Sequence, residues 1–259
     1  MDDLANAPVS TFEHVSFVLT DMDETLTYQG RLSASAYVAM ERLQDVGIKV
    51  IPVTAAPAGW CDQMARMWPV DAVIGENGGL LIVRTRSGGT ERTYWHQSAN
   101  LQISKQLSEL RCKVCDAVAS AIPSDDNAFR LTSVAFNRPA RHEDSRAILE
   151  ALEKYGANGT INNLWVLGWI GAYDKRAMSV RMLSERYGLS SDQAAVRVVY
   201  CGDSENDTPM FQFFSQSIGM SSVRTAQPPL SAMPRWITNG PGGEGFVEAA
   251  DAIIAARRR

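Results

Sequence analysis

Apolar positions recur along this chain in two rhythms, and the switches between them mark out its elements. Residues 12–20, Phe-Glu-His-Val-Ser-Phe-Val-Leu-Thr, are rich in β-branched and aromatic side chains and predict a buried strand. Ser33 then stands as a cap before Ala36, Met40, Leu43 and Val46, which keep helical spacing until Gly47 stops the helix. Ile48–Val53 reads as a second strand, 57–67 as a helix and Ala72–Ile74 as a short third strand. Strand and helix in alternation predict a parallel sheet with right-handed crossovers.

After Gly78-Gly79 the rhythm changes. Leu80–Val83 and Glu91–His96 read as hairpin strands around Ser87-Gly88-Gly89, followed by a helix over 103–121 and a strand over Leu131–Asn137. A helix over 143–155 and strands over 160–171 complete a block, 83–172, that reads as a separate α+β unit. The βα rhythm then resumes with a helix over 175–187, a strand over Val196–Cys201, short strands at Ser217–Met220 and Arg235–Ile237, and a last helix from near Gly245. The fold expected is α/β: a doubly wound parallel sheet formed by 1–82 and 173–259, interrupted by an insertion.

Composition narrows the class. Of 259 residues, 45% are hydrophobic and 21% charged, which excludes a disordered chain or a long coiled coil. A net charge of −4 argues against a nucleic-acid partner, and the terminal Arg257, Arg258 and Arg259 read as a frayed tail. Met1-Asp2-Asp3 is acidic where a secretory leader is basic, and no apolar stretch is long enough for a membrane span. Cys61, Cys112, Cys115 and Cys201 do not form a disulfide framework, so a reducing cytoplasm is expected. Cys112-x-x-Cys115 lies in a helix without a partner pair and reads as structural, as do His14, His96 and His142.

Four polar clusters fall where strands of such a sheet end or the following helices begin, the place at which these sheets bind ligands. They are Asp21-Met22-Asp23, Thr54, Asp174-Lys175, and Gly202-Asp203 with Asn206-Asp207. Carboxylates gathered at one point are costly unless a cation organises them, and Mg²⁺, bound by few carboxylates plus phosphate oxygens, suits them. A carboxylate nucleophile, a second carboxyl for proton transfer, a lysine and a strand-end hydroxyl are the parts needed to cleave a phosphate ester in two steps.

Asp21-x-Asp23-x-Thr25, Thr54, Lys175 and Gly202-Asp203-Ser204-Glu205-Asn206-Asp207 resemble the four motifs of the haloacid dehalogenase superfamily. The insertion after the third strand, Gly75-Glu76-Asn77-Gly78 and Gly242-Gly243-Glu244-Gly245 resemble its subclass with a C2-type α/β cap, which includes Cof-type, sucrose-phosphate and mannosyl-3-phosphoglycerate phosphatases. The resemblance implies Asp21 as nucleophile and metal ligand, and Asp23 as general acid/base that also offers the metal its backbone carbonyl. Thr54 and Lys175 would bind the phosphoryl group, with Asn206 and the N–H groups of Met22 and Ala55 beside them. Asp203 would hold Mg²⁺, and Asp207 would contact it directly or through water.

The implied activity is Mg²⁺-dependent hydrolysis of a small soluble phosphate ester, a sugar phosphate or phosphorylated glycoside, under a cap covering 83–172. A phosphomannomutase-type mutase and a non-catalytic phosphosugar binder are the alternatives. The pattern departs from the family in one place: many relatives follow the motif-two Thr with Gly-Arg, whereas this chain has Ala55-Ala56-Pro57. Tyr94, Trp95, Trp165 and Trp169 read as core or sheet surface, and Arg130, Arg138 and Arg141 as solvated.

Overall fold

The computed structural model describes residues 1–96, 100–227 and 229–257; Arg258 and Arg259 of the basic tail lie outside them. The chain enters through strand β1 (Asp2–Asp3) and β2 (Phe17–Thr20), then forms a small hairpin, β3 (Thr27–Tyr28) and β4 (Arg31–Leu32). Helix α1 (Ala34–Asp45), β5 (Lys49–Pro52), α2 (Ala58–Met67), β6 (Val73–Gly75), β7 (Leu80–Arg84) and β8 (Thr90–Tyr94) follow. The inserted unit holds α3 (Asn100–Ala117), β9 (Ser133–Asn137), α4 (His142–Lys154), β10 (Asn158–Ile161) and β11 (Trp165–Trp169). Then come α5 (Lys175–Tyr187), α6 (Ser191–Arg197), β12 (Val198–Gly202), α7 (Thr208–Phe213), β13 (Gln216–Gly219), β14 (Trp236–Ile237) and α8 (Gly242–Arg257).

Six strands pair in the order β1-β14-β13-β12-β2-β5, every pair parallel. Both faces are covered, which is why β2 and β12 are buried at every position rather than at alternate ones. Val18, Val50, Val199 and Cys201 point to the face packed by α1, α2 and α8. Phe17, Leu19, Ile51, Val198 and Tyr200 point to the face packed by α5, α6 and α7. Two-residue periodicity thus feeds two separate cores, and the doubly wound sheet expected from the sequence is present.

The sheet does not stop at β5. A bridge between Val53 and Ile74 brings β6 alongside it, and β7 and β8 extend the sheet in antiparallel fashion. Leu80 and Ile82 join the core cluster and Tyr94 packs against it. The boundary at 82/83 expected from the sequence therefore falls inside β7, and the hairpin belongs with the core strands. A hairpin's local pattern does not say which sheet it joins. In the inserted unit β10-β11-β9 form an antiparallel sheet. Val134, Phe136 and Val166 face α3 and α4, while Ala135, Trp165, Leu167 and Trp169 face the core, against Ala55 and Tyr173.

Three smaller differences have local causes. Helix α6 occupies the stretch before β12 because Ser190 and Gln193 form a capping box, Ser190 Oγ accepting from Gln193 N at 3.2 Å and Gln193 Oε1 from Ser190 N at 3.0 Å. Helix α8 begins at Gly242, ahead of the expected Gly245. Arg257 is not frayed: it closes α8 and donates to the Val15 carbonyl at 2.6 Å.

Candidate active site

Asp21 leaves the carboxyl end of β2, its N–H tied to the Cys201 carbonyl of neighbouring β12 at 2.8 Å. Lys175 is the first residue of α5, a start fixed by Asp174, whose side chain accepts from Ala177 N at 2.6 Å. Its fully buried ammonium donates to Asp21 Oδ1 at 2.8 Å and to Asp207 Oδ1 at 2.7 Å. Asp207 reaches this point because Gly202 has no side chain; a Cβ there would lie 2.7 Å from the Asp207 carboxyl carbon. Asp207 Oδ1 also accepts from Tyr200 Oη at 2.5 Å, and Oδ2 accepts from the N–H groups of Asp203 at 3.0 Å and Ser204 at 3.1 Å. Asp203 accepts from Thr25 Oγ1 at 3.0 Å and, across from the inserted unit, from Asn163 Nδ2 at 2.9 Å.

This is a buried concentration of negative charge. Burial pushes the Asp21 carboxyl up to about 7, with Lys175 pulling it back and Asp207 and Asp23 adding to the rise. Burial, then Asp21 and Asp207, raise Asp203 well above the usual carboxylate range. Burial opposes the Lys175 ammonium, but Asp207 and Asp21 more than offset it and leave it above its ordinary value. One lysine against three buried carboxylates is a deficit of positive charge. Ligand oxygens of Asp21, Asp203 and Asp207 lie within 4.8 Å of one another, so a hard divalent cation fits the donor set. Asp207 accepts two or more protein donors on each oxygen, whereas Asp203 accepts one on each and Asp21 one on Oδ1 alone, so Asp21 and Asp203 keep the lone pairs to hold the cation.

The other expected residues gather here as well. Thr54 is fully buried after β5, with Oγ1 accepting from Ala56 N at 3.0 Å and its own O–H still to give. Among the described residues the N–H groups of Met22 and Ala55 carry no hydrogen bond. Asn206 receives Ser204 Oγ on its carbonyl at 2.7 Å and keeps its amide N–H groups. Asp23 is half-buried; burial lifts its carboxyl to about 6, Glu24 adds to this, and Lys175 and Arg130 counter it.

Several participants were not singled out from the sequence. Glu76 is fully buried on a loop where it and Asn77 both hold positive φ, a conformation costly for non-glycine residues. Its Oε1 accepts from Ala58 N at 3.0 Å and Leu131 N at 2.8 Å, while Oε2 accepts from Thr132 N, Thr132 Oγ1 and Ser133 Oγ at 2.7–2.9 Å. One carboxylate thereby joins α2 to the inserted unit. Arg130, expected on a solvated face, is instead buried: it pairs with Asp126 at 2.7 Å, donates to the Ala55 carbonyl at 2.9 Å and lies 4.9 Å over the Trp165 ring. An arginine thus does reach the motif-two loop, from the inserted unit rather than from the position after Thr54. The readable signals were the tyrosine inside the apolar run of β12 and the acid inside Gly75-Glu76-Asn77-Gly78. Nothing local pointed to Asn163.

Comparison with known proteins agrees with this geometry. A family described as haloacid dehalogenase-like hydrolase matches residues 18–164. The chain is 30% identical over 241 residues to a phosphoglycolate phosphatase of Pyrobaculum neutrophilum, covering 92% of this chain and 95% of that one. A phosphoglycolate phosphatase of Methanothrix thermoacetophila is 25% identical, covering 93% and 98%. Among solved structures, a protein of Thermoplasma acidophilum superimposes with a TM-score of 0.72 at 20% identity, covering 93% of this chain and 99% of that one. The sucrose-phosphatase of a Synechocystis species gives 0.63 at 13% identity, covering 92% and 97%. With its carboxylates and lysine drawn together at the strand ends, and its sequence matched along most of its length, the chain belongs to the haloacid dehalogenase-like hydrolases and is a phosphatase.

Proposed function

We propose that the chain is a Mg²⁺-dependent phosphomonoesterase that works through an aspartyl phosphate on Asp21. The observation that supports this best is the Asp21–Lys175–Asp207 chain of contacts beside Asp203. Lys175 holds Asp21 Oδ1, so Oδ2 faces the phosphoryl group as the attacking atom. As its bond to phosphorus forms, the bond to the ester oxygen breaks, and the electron pair goes to that oxygen, which takes a proton from Asp23. Water then attacks the same phosphorus and gives its proton to Asp23; the Asp21–phosphorus bond breaks and its electron pair returns to the carboxylate. Thr54, Lys175, Asn206 and the N–H groups of Met22 and Ala55 hold the phosphoryl oxygens. Mg²⁺ on Asp21, Asp203 and the Asp23 carbonyl would offset the phosphate charge, with Asp207 orienting Asp203 and the loop.

The inserted unit serves as the cap that excludes water and reads the alcohol half of the ester. The substrate we favour is a sugar phosphate or phosphorylated glycoside, turned over in the cytoplasm. A second reading, phosphoglycolate, has the names of the matched relatives in its favour. Among the described residues no helix is long and apolar enough to cross a membrane. Phosphate release from a panel of esters, with Mg²⁺ or chelator and with Asp21→Asn as the blank, is the test. Metal-dependent release that vanishes in the variant is expected; release that persists in Asp21→Asn would sink the reading.

A further inference from the structure

Beside Asp23 a groove of about 430 Å³ opens along the seam between the core and the inserted unit. Its walls are Leu32 of the β3–β4 hairpin, Trp60, Gln63 and Met64 of α2, Trp68 just beyond it, and Leu164 from the turn between β10 and β11. Trp60 is 41% exposed, its ring set edge-on to Trp165 of the inserted unit at 6.2 Å. Among the residues lining the groove none is cationic, and its one acidic residue is Asp23. Nearby positive charge is already committed. Lys175 is shared between Asp21 and Asp207, and Arg130, its side chain 1% exposed, between Asp126 and the Ala55 carbonyl.

In-line displacement places the departing oxygen opposite the attacking carboxylate and next to the acid that protonates it. With Asp21 and Asp23 in those roles, the carbon skeleton of the alcohol begins at Asp23, where the groove begins. We infer that this groove is the site for the alcohol half of the ester, and that it selects a neutral alcohol with an apolar face, such as a sugar ring or an aryl group. An indole face and aliphatic walls stack against C–H surfaces, and Gln63 can bond a hydroxyl. A leaving group that carries its own carboxylate, such as glycolate, would have to desolvate that charge against a lining that holds no cation to pair it, a cost that selects against it. The inference rests on the phosphatase reading above and sharpens it.

A second cleft, of about 520 Å³, lies beyond Asn163 and carries Arg138 and His142, but Asp203 and Glu205 line it and Asp23 does not. It is the competing location and is built into the test. The full-length chain with Mg²⁺ is assayed on glucose 6-phosphate, phenyl phosphate, methyl phosphate and 2-phosphoglycolate. The wild type should prefer the first two over phosphoglycolate by about tenfold or more in kcat/KM. Trp60→Ala should cost about tenfold on those two while sparing methyl phosphate. Gln63 is exposed, so Gln63→Lys tests the same claim without touching the Trp60–Trp165 contact. It should raise the relative kcat/KM for phosphoglycolate by about tenfold. A wild type that prefers phosphoglycolate would overturn the inference, as would equal losses on every ester in Trp60→Ala or a phosphoglycolate-selective loss in Arg138→Ala. Release from no ester at all, with Asp21→Asn indistinguishable from wild type, would instead remove the phosphatase reading and this inference with it.

Discussion

Asp207 holds five protein donors on two oxygens, and that saturation defines its work: it fixes Lys175 and the loop bearing Asp203. Tyr200 is the least expected of those donors, a phenol in the apolar face of β12 whose ring stacks on Phe214 at 6.4 Å. Burial, together with Asp207, keeps its hydroxyl protonated far above its ordinary range. Tyr200→Phe keeps the stacking and removes one charge-assisted bond, usually worth about 1.5–3 kcal/mol. We expect kcat to fall about tenfold, KM to stay near wild type and the circular dichroism spectrum to be unchanged, since the loss falls on Lys175 placement. A normal kcat would show that the remaining donors suffice to hold Asp207. Lys175→Ala is a harsher change, because it strands two buried carboxylates. Urea unfolding should show a loss of about 3–5 kcal/mol in the absence of metal.

At the scale of elements, the inserted unit touches the site, besides Arg130 on the Ala55 carbonyl, through two devices of different kinds. One is the Glu76 clamp. Glu76→Gln turns an acceptor of five bonds into an amide whose N–H₂ opposes donors, and a loss of about 3 kcal/mol in urea unfolding is expected. The other is the tip between β10 and β11, where Asn162 Oδ1 accepts from Leu164 N at 2.9 Å and Trp165 N at 2.7 Å, and Arg138 staples the Asn162 carbonyl at 3.1 Å. That turn presents Asn163 to Asp203. Partners that orient a metal ligand typically matter about 10–100-fold, so Asn163→Ala should weaken Mg²⁺ binding by about tenfold in a calorimetric titration. Unchanged affinity would make the contact incidental. These devices also mark where sequence reading ran out. The strand ends were legible because an apolar run stops on a carboxylate, and the order of elements supplied the doubly wound sheet. The partners of Glu76 in the inserted unit lie 55 to 57 residues away, Asp203 lies 40 from Asn163, and Ala55 lies 75 from Arg130, distances over which no periodicity speaks. The helix before β12 was different: Ser190 and Gln193 carried its signal in plain view.

For the molecule as a whole, the proposed Mg²⁺ site would link stability, metal and pH through the same carboxylates. Asp21 and Asp23, raised to about 7 and about 6, bind protons more tightly folded than unfolded. Without metal, their contribution is fully present below the usual carboxylate range, near pH 4, and is lost as pH rises through about 6 to about 7. Mg²⁺ requires the deprotonated form, so its effect grows in the same direction. Melting curves at pH 5 to pH 8 should show the Mg²⁺-minus-chelator difference widening with pH, toward about 2.7 kcal/mol where free Mg²⁺ is a hundredfold above its Kd. A difference that does not change with pH would mean that the buried acids are not the ligands, and in Asp203→Ala the difference should nearly disappear. The seam between core and inserted unit adds a property of another sort. Trp60 belongs to one side and Trp165 to the other, with Trp95 and Trp169 beside Tyr173 close by. If these rings part when the inserted unit moves away from the core, their indoles exchange an apolar setting for water, and the colour of the protein's own fluorescence shifts toward the red. The chain then carries its own optical gauge of opening, one that a stopped-flow instrument can read during a single turnover without a label.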